Sequence, residues 1–332
     1  MRTYLVTGAA GFIGSHVSQA LLRRGDTVVG LDNLNDYYDP ARKLANLAEI
    51  RTGLDESNRF VFVEGDIRDR ALLDRLFAEY QFTAVAHLAA MAGVRVSVEN
   101  PYLYYDVNLN GTLGLLDTAR RYGTGNFVNV STSSVYGQTQ RMPFEESDPC
   151  DRPLAPYAAS KRAAEMLGFT FHHLYGQNVT VVRFFTVYGP RGRPDMMAYK
   201  VVENIFSGLP VPLYNNGRMH RDWTYIDDIA AGVVAALDRP LGYEIINLGR
   251  GEPVLLADFV GMIERLAGRP SALTPEPMPD TDIPYTFADI SRARSLLGYD
   301  PQVSVEEGVT RFWEWYRTTV LETRGAPVSV GE

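Results

Sequence analysis

The chain has 332 residues, of which 45% are hydrophobic and 22% charged, and its formal net charge is −8 at pH 7. This length suits two domains, or one large α/β unit with an appendage. The negative net charge argues against a surface that binds nucleic acid. The single cysteine, Cys150, excludes a disulfide framework and a thiolate metal site. No secretion signal and no apolar run of about 18 residues is present. We therefore expect a cytoplasmic protein that does not bind membranes.

Strand and helix patterns alternate through the first 185 residues. The predicted strands are 2–7, 27–31, 60–63, 83–87, 126–131 and 179–184. The predicted helices lie near 12–24, 69–79, 101–122 and 156–175. This alternation is typical of an α/β fold with a doubly wound parallel sheet, the Rossmann arrangement.

The alternation breaks after Phe185, where proline and glycine crowd two long segments. A helix near 227–238 and a strand at 243–247 are predicted to rejoin the sheet. We therefore expect a larger domain formed by 1–184 with 223–247. A smaller, discontinuous α/β domain would consist of 185–222 and 248–325.

A glycine-rich turn, Thr7-Gly8-Ala9-Ala10-Gly11-Phe12-Ile13-Gly14, joins the first strand to the first helix. Glycines at this spacing let the backbone turn tightly, approach a pyrophosphate and press the helix against the strand. Asp32 ends the second strand, where a carboxylate accepts hydrogen bonds from adenosine ribose hydroxyls. Because Asp32 would repel a 2′-phosphate and no arginine follows it directly, the sequence predicts NAD rather than NADP.

Tyr157 and Lys161 stand at positions i and i+4 of a helix that Pro156 is suited to begin. Hydride removal from a secondary alcohol needs a base, and a phenol requires about 4 kcal/mol of phenolate stabilisation to serve at pH 7. The Lys161 ammonium, with the nicotinamide ring, would supply it in a dry site. Four small hydroxyl residues, 131–134, end the fifth strand, where open α/β sheets bind ligands. One of them would share the proton of the reacting oxygen.

Further motifs complete the pattern at 32–39, 65–67, 92–95, 183–190, 192–195 and 221–228. Together these motifs resemble the extended short-chain dehydrogenase/reductase family, and within it the UDP-sugar 4-epimerases, above all those acting on UDP-glucuronate. The resemblance covers essentially the whole chain. It implies reversible C4 epimerisation of UDP-glucuronate to UDP-galacturonate through a transient 4-keto intermediate with tightly bound NAD. It also implies a homodimer, paired through the helices near 101–122 and 156–175.

The resemblance further implies the residues of the site. The base is Tyr157, its supporting cation is Lys161 and the hydroxyl partner is Thr132. The implied cofactor-binding residues are Gly8, Gly11, Phe12, Ile13, Gly14, Asp32, Asn33, Asp66, Ile67, Leu88, Ala89, Ala90, Asn108, Tyr157, Lys161 and Phe184. The implied substrate-binding residues are Arg95, Ser133, Ser134, Thr186, Arg193, Arg221 and Asp282. Among these, Arg193 is assigned to the C6 carboxylate, for which a guanidinium fork is the natural partner.

At a few positions the sequence differs from related enzymes of the family that catalyse other reactions, and these differences narrow the predicted activity. Ser133 and Ser134 stand where the family's dehydratases carry Asp-Glu, and Ser134 also replaces the glutamate of uronate decarboxylases. Thr186 stands where glucose-type epimerases usually carry asparagine. We therefore expect epimerisation of the uronate, with a UDP-glucose or UDP-N-acetylglucosamine 4-epimerase as the alternative. A UDP-glucuronate decarboxylase and a non-catalytic NAD-sensing protein are weaker alternatives.

Overall fold

The computed structural model describes residues 1–52 and 59–322. Its strands are β1 (Thr3–Thr7), β2 (Thr27–Asp32), β3 (Phe60–Glu64), β4 (Ala84–His87), β5 (Asn126–Thr132), β6 (Val179–Phe184), β7 (Thr186–Tyr188), β8 (Val211–Tyr214), β9 (His220–Tyr225), β10 (Tyr243–Leu248), β11 (Pro253–Leu255) and β12 (Leu273–Glu276). Seven of them form one sheet in the order β10-β6-β5-β4-β1-β2-β3. Every neighbouring pair in this sheet runs parallel. The doubly wound parallel sheet expected from the sequence is confirmed.

Helices cover this sheet and extend beyond it. They are α1 (Phe12–Arg23), α2 (Pro40–Arg51), α3 (Arg70–Tyr80), α4 (Val96–Glu99), α5 (Pro101–Tyr105), α6 (Thr112–Arg121), α7 (Pro156–Tyr175), α8 (Met197–Ser207), α9 (Ile226–Asp238), α10 (Leu256–Ala267), α11 (Ser291–Leu297) and α12 (Val305–Trp315). Within residues 1–52 and 59–322, no helix combines the length and apolar character needed to span a membrane.

Two local features differ from the expectation. The helix predicted near 101–122 is divided, because a π-helical segment, Asp106–Gly111, separates α5 from α6. This wider turn contains Asn108, whose side chain hydrogen-bonds the backbone of Met91. Helix α2 was not predicted, although its start carries a clear signal. Asp39 caps the helix by accepting from the backbone N–H of Ala41, and proline occupies the first turn.

The remaining strands form two small sheets away from the main one. In the first, β9 pairs parallel with β7 and antiparallel with β11, and in the second β8 pairs with β12. The buried carboxylate of Asp222 joins three segments here by accepting from Thr224 Oγ1 and from the backbone N–H groups of Arg250, Gly251 and Ala288. Four donors on one buried carboxylate fix these loops beside the neighbouring Arg221.

Candidate active site

A cavity of about 390 Å³ opens at the carboxyl ends of β1 to β6. A second cavity, of about 130 Å³, lies among the loops of the small sheets. Val94, Ser133, Ser134 and Thr186 line both cavities. The two therefore form one cleft, with a larger compartment on the sheet and a smaller one beyond it.

Nearly all the residues assigned to the cofactor lie in the larger compartment. Those lining it are Gly8, Gly11, Phe12, Ile13, Gly14, Asp32, Asn33, Asp66, Ile67, Leu88, Ala89, Ala90, Tyr157, Lys161 and Phe184. All but two come from the ends of five strands and from the start of α1, the arrangement in which open α/β sheets bind dinucleotides. The two exceptions, Tyr157 and Lys161, lie on α7.

The glycine turn is shaped by the absence of side chains. Gly8 has a φ of +71°, and a Cβ placed on it would lie 2.8 Å from the backbone nitrogen of Ala89. A Cβ on Gly14 would overlap the carbonyl oxygen of Gly8. These contacts let α1 begin directly against the turn, so that its unpaired N–H groups meet a pyrophosphate lying over the glycines.

Asp32 lies buried at the end of β2. Its carboxylate accepts from the backbone N–H of Ala10 at 3.1 Å and from that of Leu34 at 2.9 Å. Lys43 Nζ, on α2, lies 3.8 Å from Asp32 Oδ1 and donates to Asn35 Oδ1 at 2.9 Å. Burial raises the pKa of the Asp32 carboxyl, and the Lys43 charge opposes this shift. The end of the cavity suited to the adenosine ribose therefore holds a carboxylate and an ammonium side by side.

Asp66, which follows β3, is held by several hydrogen-bond donors at the wall of the same cavity. Arg68 donates to both carboxylate oxygens, at 2.9 and 2.8 Å, and Asn33 Nδ2 donates at 2.9 Å. The Arg68 hydrogen bond is the main cause that lowers the pKa of Asp66 to about 2. Asp66 is thus ionised and fixed, and Asn33 is fixed with it.

Helix α7 carries Tyr157 and Lys161 into the cavity, opposite Thr132 at the end of β5. The Thr132 hydroxyl accepts from the backbone N–H of Ser134 at 3.1 Å and contacts Ser134 Oγ at 3.2 Å. Burial raises the pKa of the Tyr157 phenol, whereas the positive charge of Arg193 and the Thr132 hydroxyl lower it. A buried phenol flanked by a cation and a hydroxyl can exchange a proton with a bound alcohol.

Lys161 provides a test of whether a nicotinamide cofactor fits. Its side chain is 3% exposed, and no acceptor among the described residues takes a hydrogen bond from its ammonium. Burial lowers the pKa of Lys161 to about 8, with Glu165 acting in the opposite direction. A buried ammonium that faces the cavity without a protein acceptor suits the hydroxyls of a cofactor ribose. Together with the glycine turn and Asp32, it fits NAD.

Arg193 lines the larger compartment from the loop between β7 and α8. Its Nε and Nη2 donate to the two carboxylate oxygens of Asp195, at 3.0 and 2.7 Å. Tyr37 places its hydroxyl 3.4 Å from the same Asp195 and its ring 5.6 Å from the guanidinium carbon. Asp195 therefore fixes one edge of the fork, and Nη1 is the nitrogen that remains for a ligand.

Arg221 and Asp282 line the smaller compartment. Arg221 Nη1 donates to the backbone carbonyls of His220 and Ile283, and Nη2 lies 3.9 Å from Asp282 Oδ2. Burial lowers the pKa of Arg221, and Asp282 opposes the shift. This compartment therefore offers a fixed cation and a carboxylate, which suit a diphosphate and ribose hydroxyls respectively.

Two assigned residues lie outside the walls of the cleft. Asn108 is fully buried behind the cofactor loop, where its amide bonds both backbone groups of Met91 and reaches Ser160 Oγ at 3.1 Å. Because its amide is engaged with Met91 and Ser160, it does not line the cavity, and its assignment as a cofactor-binding residue stays a prediction. Arg95 likewise does not line either cavity. Its guanidinium stacks over Tyr214 and contacts Asp282 at 3.2 Å, so it supports Asp282 from the rim.

Several lining residues carry no assigned role in the sequence analysis. Among them are Asn35, Tyr37 and Tyr38, which belong to the motif at 32–39, and also Lys43 and Met196. The first four follow Asp32 closely in the chain, and the Asp39-Pro40 signal for α2 would have placed Lys43 on its first turn. Asp195 was noted only within a motif, and its pairing with Arg193 had no sequence signal.

Comparison with known proteins places the chain in a family with the same fold. The model of the NAD dependent epimerase/dehydratase family matches residues 4–249. UDP-glucuronate 4-epimerase of Thermodesulfobacterium geofontis is 46% identical over 321 residues, covering 96% of this chain and 98% of the relative.

Two solved structures show how widely the fold is shared. The crystal structure of UDP-glucuronic acid 4-epimerase from Bacillus cereus with UDP-glucuronic acid and NAD has a TM-score of 0.88 and 34% identity, over 95% of this chain and 99% of that one. The UDP-glucose 4-epimerase of Thermus thermophilus with NAD has a TM-score of 0.85 and 34% identity, over 96% and 100%. The fold alone therefore does not separate the two sugars. The chain belongs to the NAD dependent epimerase/dehydratase family.

Proposed function

We propose that this protein is a UDP-glucuronate 4-epimerase that interconverts UDP-glucuronate and UDP-galacturonate with tightly bound NAD. The observation that carries the proposal is that one cavity contains both an acid–base group and a cation. Tyr157, an acid–base group, shares the larger compartment with Arg193, a cation suited to a sugar carboxylate. The 46% identical relative and the Bacillus cereus structure with UDP-glucuronic acid and NAD support the same activity.

The acid–base step belongs to Tyr157 and Thr132. The Tyr157 phenolate takes the proton of the C4 hydroxyl, while Thr132 hydrogen-bonds the same oxygen. Lys161 stabilises the phenolate and holds the ribose of the cofactor. NAD held in the larger compartment would supply the hydride acceptor for C4 and, once the sugar has turned, the hydride donor. The Tyr157 phenol then gives its proton back to the C4 oxygen.

The sugar must turn between the two hydride transfers. We therefore place most of the binding energy in the nucleotide, with Arg221 on the diphosphate and Asp282 on the uridine ribose. Ser133, Ser134 and Thr186 line both compartments, so the sugar would lie at their junction. A sugar held mainly through its diphosphate can present either face to the larger compartment.

The 4-keto uronate is a β-keto acid, which loses CO₂ when its C5–C6 bond aligns with the carbonyl π system. We propose that Arg193, through Nη1, holds the carboxylate near the carbonyl plane with help from Ser133, Ser134 and Thr186. Because Asp195 already fixes the guanidinium, the cation would not follow the sugar as it turns. Serines at 133 and 134 also leave no acid at the positions that carry Asp-Glu in dehydratases.

A panel of nucleotide sugars tests the proposal. We expect kcat/KM for UDP-glucuronate to exceed that for UDP-glucose and UDP-N-acetylglucosamine by at least 100-fold, because a paired buried charge contributes about 3 kcal/mol. Product analysis by NMR should show UDP-galacturonate. Preference for a neutral sugar would favour the alternative epimerase, and a UDP-pentose as the main product would favour a decarboxylase.

We also propose a homodimer in the cytoplasm. Helices α5 and α7 pack together and carry large apolar side chains on their outer surface. Tyr102 is 86% exposed, and Met166 and Phe169 are each more than half exposed. A second copy would cover these groups. Light scattering should give twice the 37.0 kDa chain mass, and Phe169→Asp should shift it toward the monomer; a monomeric unmodified protein would contradict the dimer.

The division into domains remains a proposal as well. Residues 1–184 with 223–247 would bind NAD, and 185–222 with 248–325 would bind the UDP-sugar. The pairing of β10 with β6 in the main sheet supports the first group. The last residues of the second group, 323–325, lie outside the described part of the chain.

A further inference from the structure

A buried histidine lies behind the cofactor loop and takes no part in the chemistry above. His87 ends β4, immediately before the cavity-lining stretch 88–91, and its side chain is 1% exposed. Its Nδ1 lies 2.8 Å from Thr7 Oγ1, and its Nε2 lies 2.9 Å from Thr112 Oγ1. Each ring nitrogen thus has one hydroxyl partner.

The neighbouring bonds determine which nitrogen carries the proton. The Thr112 hydroxyl donates to the carbonyl of Asn108 at 2.6 Å, so it must accept from His87. His87 therefore carries its proton on Nε2, and Nδ1 accepts from the Thr7 hydroxyl. That hydroxyl in turn accepts from the backbone N–H of Ala89 at 3.1 Å. Every donor in the chain then meets one acceptor.

A charged imidazole would break this order. With protons on both nitrogens, His87 would present a donor to Thr7, whose hydroxyl would then have no acceptor. Burial, and to a lesser extent the nearby Lys161 charge, lower the pKa of His87 to about 3. None of the ionisable groups that line the cavity is a hydrogen-bond partner of the ring; these groups are Asp32, Tyr37, Tyr38, Lys43, Asp66, Tyr157, Lys161 and Arg193. His87 therefore stays neutral throughout the physiological range.

Both ends of the chain meet residues that line the cofactor compartment. Thr7 precedes Gly8, and Ala89 belongs to the loop against which the glycine turn packs. At the other end, Asn108 holds the backbone of Met91 through two hydrogen bonds and contacts Ser160, which precedes Lys161. One chain of hydrogen bonds thus connects the glycine turn, the loop 88–91 and the helix of the acid–base pair.

We propose that His87 is a positioning residue that, as the neutral Nε2–H tautomer, holds the loop 88–91 in the shape that binds the dinucleotide. The inference rests on the cofactor role of this cavity and is independent of which sugar is epimerised. It also gives Asn108 a supporting role in the site that needs no direct contact with the cofactor.

Two threonines of α6 offer a matched test. Thr112 and Thr118 are both buried and both donate to the carbonyl four residues earlier, but Thr118 has no contact with His87. Thr112→Val removes the acceptor of the imidazole at nearly constant volume. We expect it to weaken NAD binding by about 10-fold, with kcat at saturating cofactor within about 3-fold of the unmodified enzyme. Thr118→Val should leave the Kd for NAD unchanged, and Thr112→Ser should restore it.

NMR of protein labelled with ¹⁵N at histidine measures the tautomer directly, without any turnover. The His87 signal, identified by its loss in His87→Gln, should show a protonated Nε2 and an unprotonated Nδ1 that do not titrate between pH 5 and 8. In Thr112→Val, which lacks the acceptor for Nε2–H, the ¹⁵N signals of the two His87 ring nitrogens should change. An Nδ1–H tautomer or an imidazole that titrates near pH 6.5 would overturn the proposal, as would equal NAD affinities for the two valine variants. Neither readout depends on activity toward UDP-glucuronate.

Discussion

The two compartments of the cleft are built in different ways. The cofactor compartment is formed mainly by backbone and small side chains at consecutive strand ends, such as Gly8, Gly14 and Ala89. The substrate side consists of the smaller compartment, its rim and the Arg193 loop of the larger compartment. It is formed by charged residues from distant loops, and each of its arginines lies beside a carboxylate. Arg193 bonds Asp195, while Arg95 and Arg221 approach Asp282.

This difference suits the two ligands. A cofactor that is regenerated in every cycle gains from a rigid, preformed site, because no ordering cost is then spent on binding it. A sugar that must turn gains from cations whose charge is already balanced, because it can leave one contact without exposing an unpaired buried charge. Variants that disturb one compartment should therefore affect different measurements from variants that disturb the other.

The largest effect is expected at Tyr157, the acid–base residue of the larger compartment. Tyr157→Phe removes the group that takes the hydroxyl proton, so turnover should fall by about 100- to 10,000-fold while UDP binding is retained. Tyr243→Phe is a matched control, since its hydroxyl bonds the backbone of the same helix at Glu165 but lies outside the cleft. Near-native kcat in Tyr157→Phe would contradict the mechanism.

On the substrate side, Arg193→Ala should lower kcat/KM for UDP-glucuronate, because a buried charge-assisted contact is lost. The loss should correspond to roughly 2–4 kcal/mol. UDP-glucose use should change little. Residual turnover of the uronate should release more of the 4-keto pentose, which NMR of the products would show.

The structure adds a control to the Arg193 experiment, because that variant leaves Asp195 facing the substrate carboxylate. The double variant Arg193→Ala/Asp195→Asn removes this repulsion. Uronate use should recover partly in it, yet remain well below that of the unmodified enzyme. Equal losses on both sugars in the single variant would instead make Arg193 a structural residue.

On the cofactor side, Asp32→Ala should weaken NAD binding by about 10- to 100-fold through loss of charge-assisted hydrogen bonds to the ribose. Lys43 would then face the ribose without the Asp32 carboxylate beside it. The affinity for NADP should therefore rise relative to the affinity for NAD. Calorimetry on cofactor-stripped protein measures both affinities. Asp32→Ala/Lys43→Met should lose the gain for NADP, and an unchanged NAD/NADP ratio in the single variant would argue against the ribose assignment.

The smallest effect is expected at Thr132, which assists Tyr157 without replacing it. Thr132→Ala should lower kcat by about 10-fold, the scale of one lost hydrogen bond to the reacting oxygen. Thr132→Ser keeps the hydroxyl and should stay within about 2-fold. Steady-state kinetics at saturating UDP-glucuronate measure both, and equal losses in the two variants would point to packing rather than hydrogen bonding.

The same contrast explains what could be predicted from the sequence. The cofactor compartment follows from local signals, since hydrophobic strands, glycines and Asp32 occur in order along the chain. The substrate side depends on pairs far apart in sequence, such as Arg95 with Asp282, which have no local signal. The placement of Asn108 had no local signal either, because the π-helical turn that directs its amide to the backbone of Met91 could not be read from the sequence. Lys43, by contrast, has a local signal, because the Asp39-Pro40 start of α2 places it on the first turn of that helix.

A single NMR time course tests the central claim most directly. Purified enzyme is mixed with UDP-glucuronate in D₂O without added cofactor. Our account predicts UDP-galacturonate that retains protium at C4, because the hydride leaves and returns within one active site, and it predicts no release of CO₂. No turnover until NAD is added, deuterium at C4, or a UDP-pentose as the main product would contradict it.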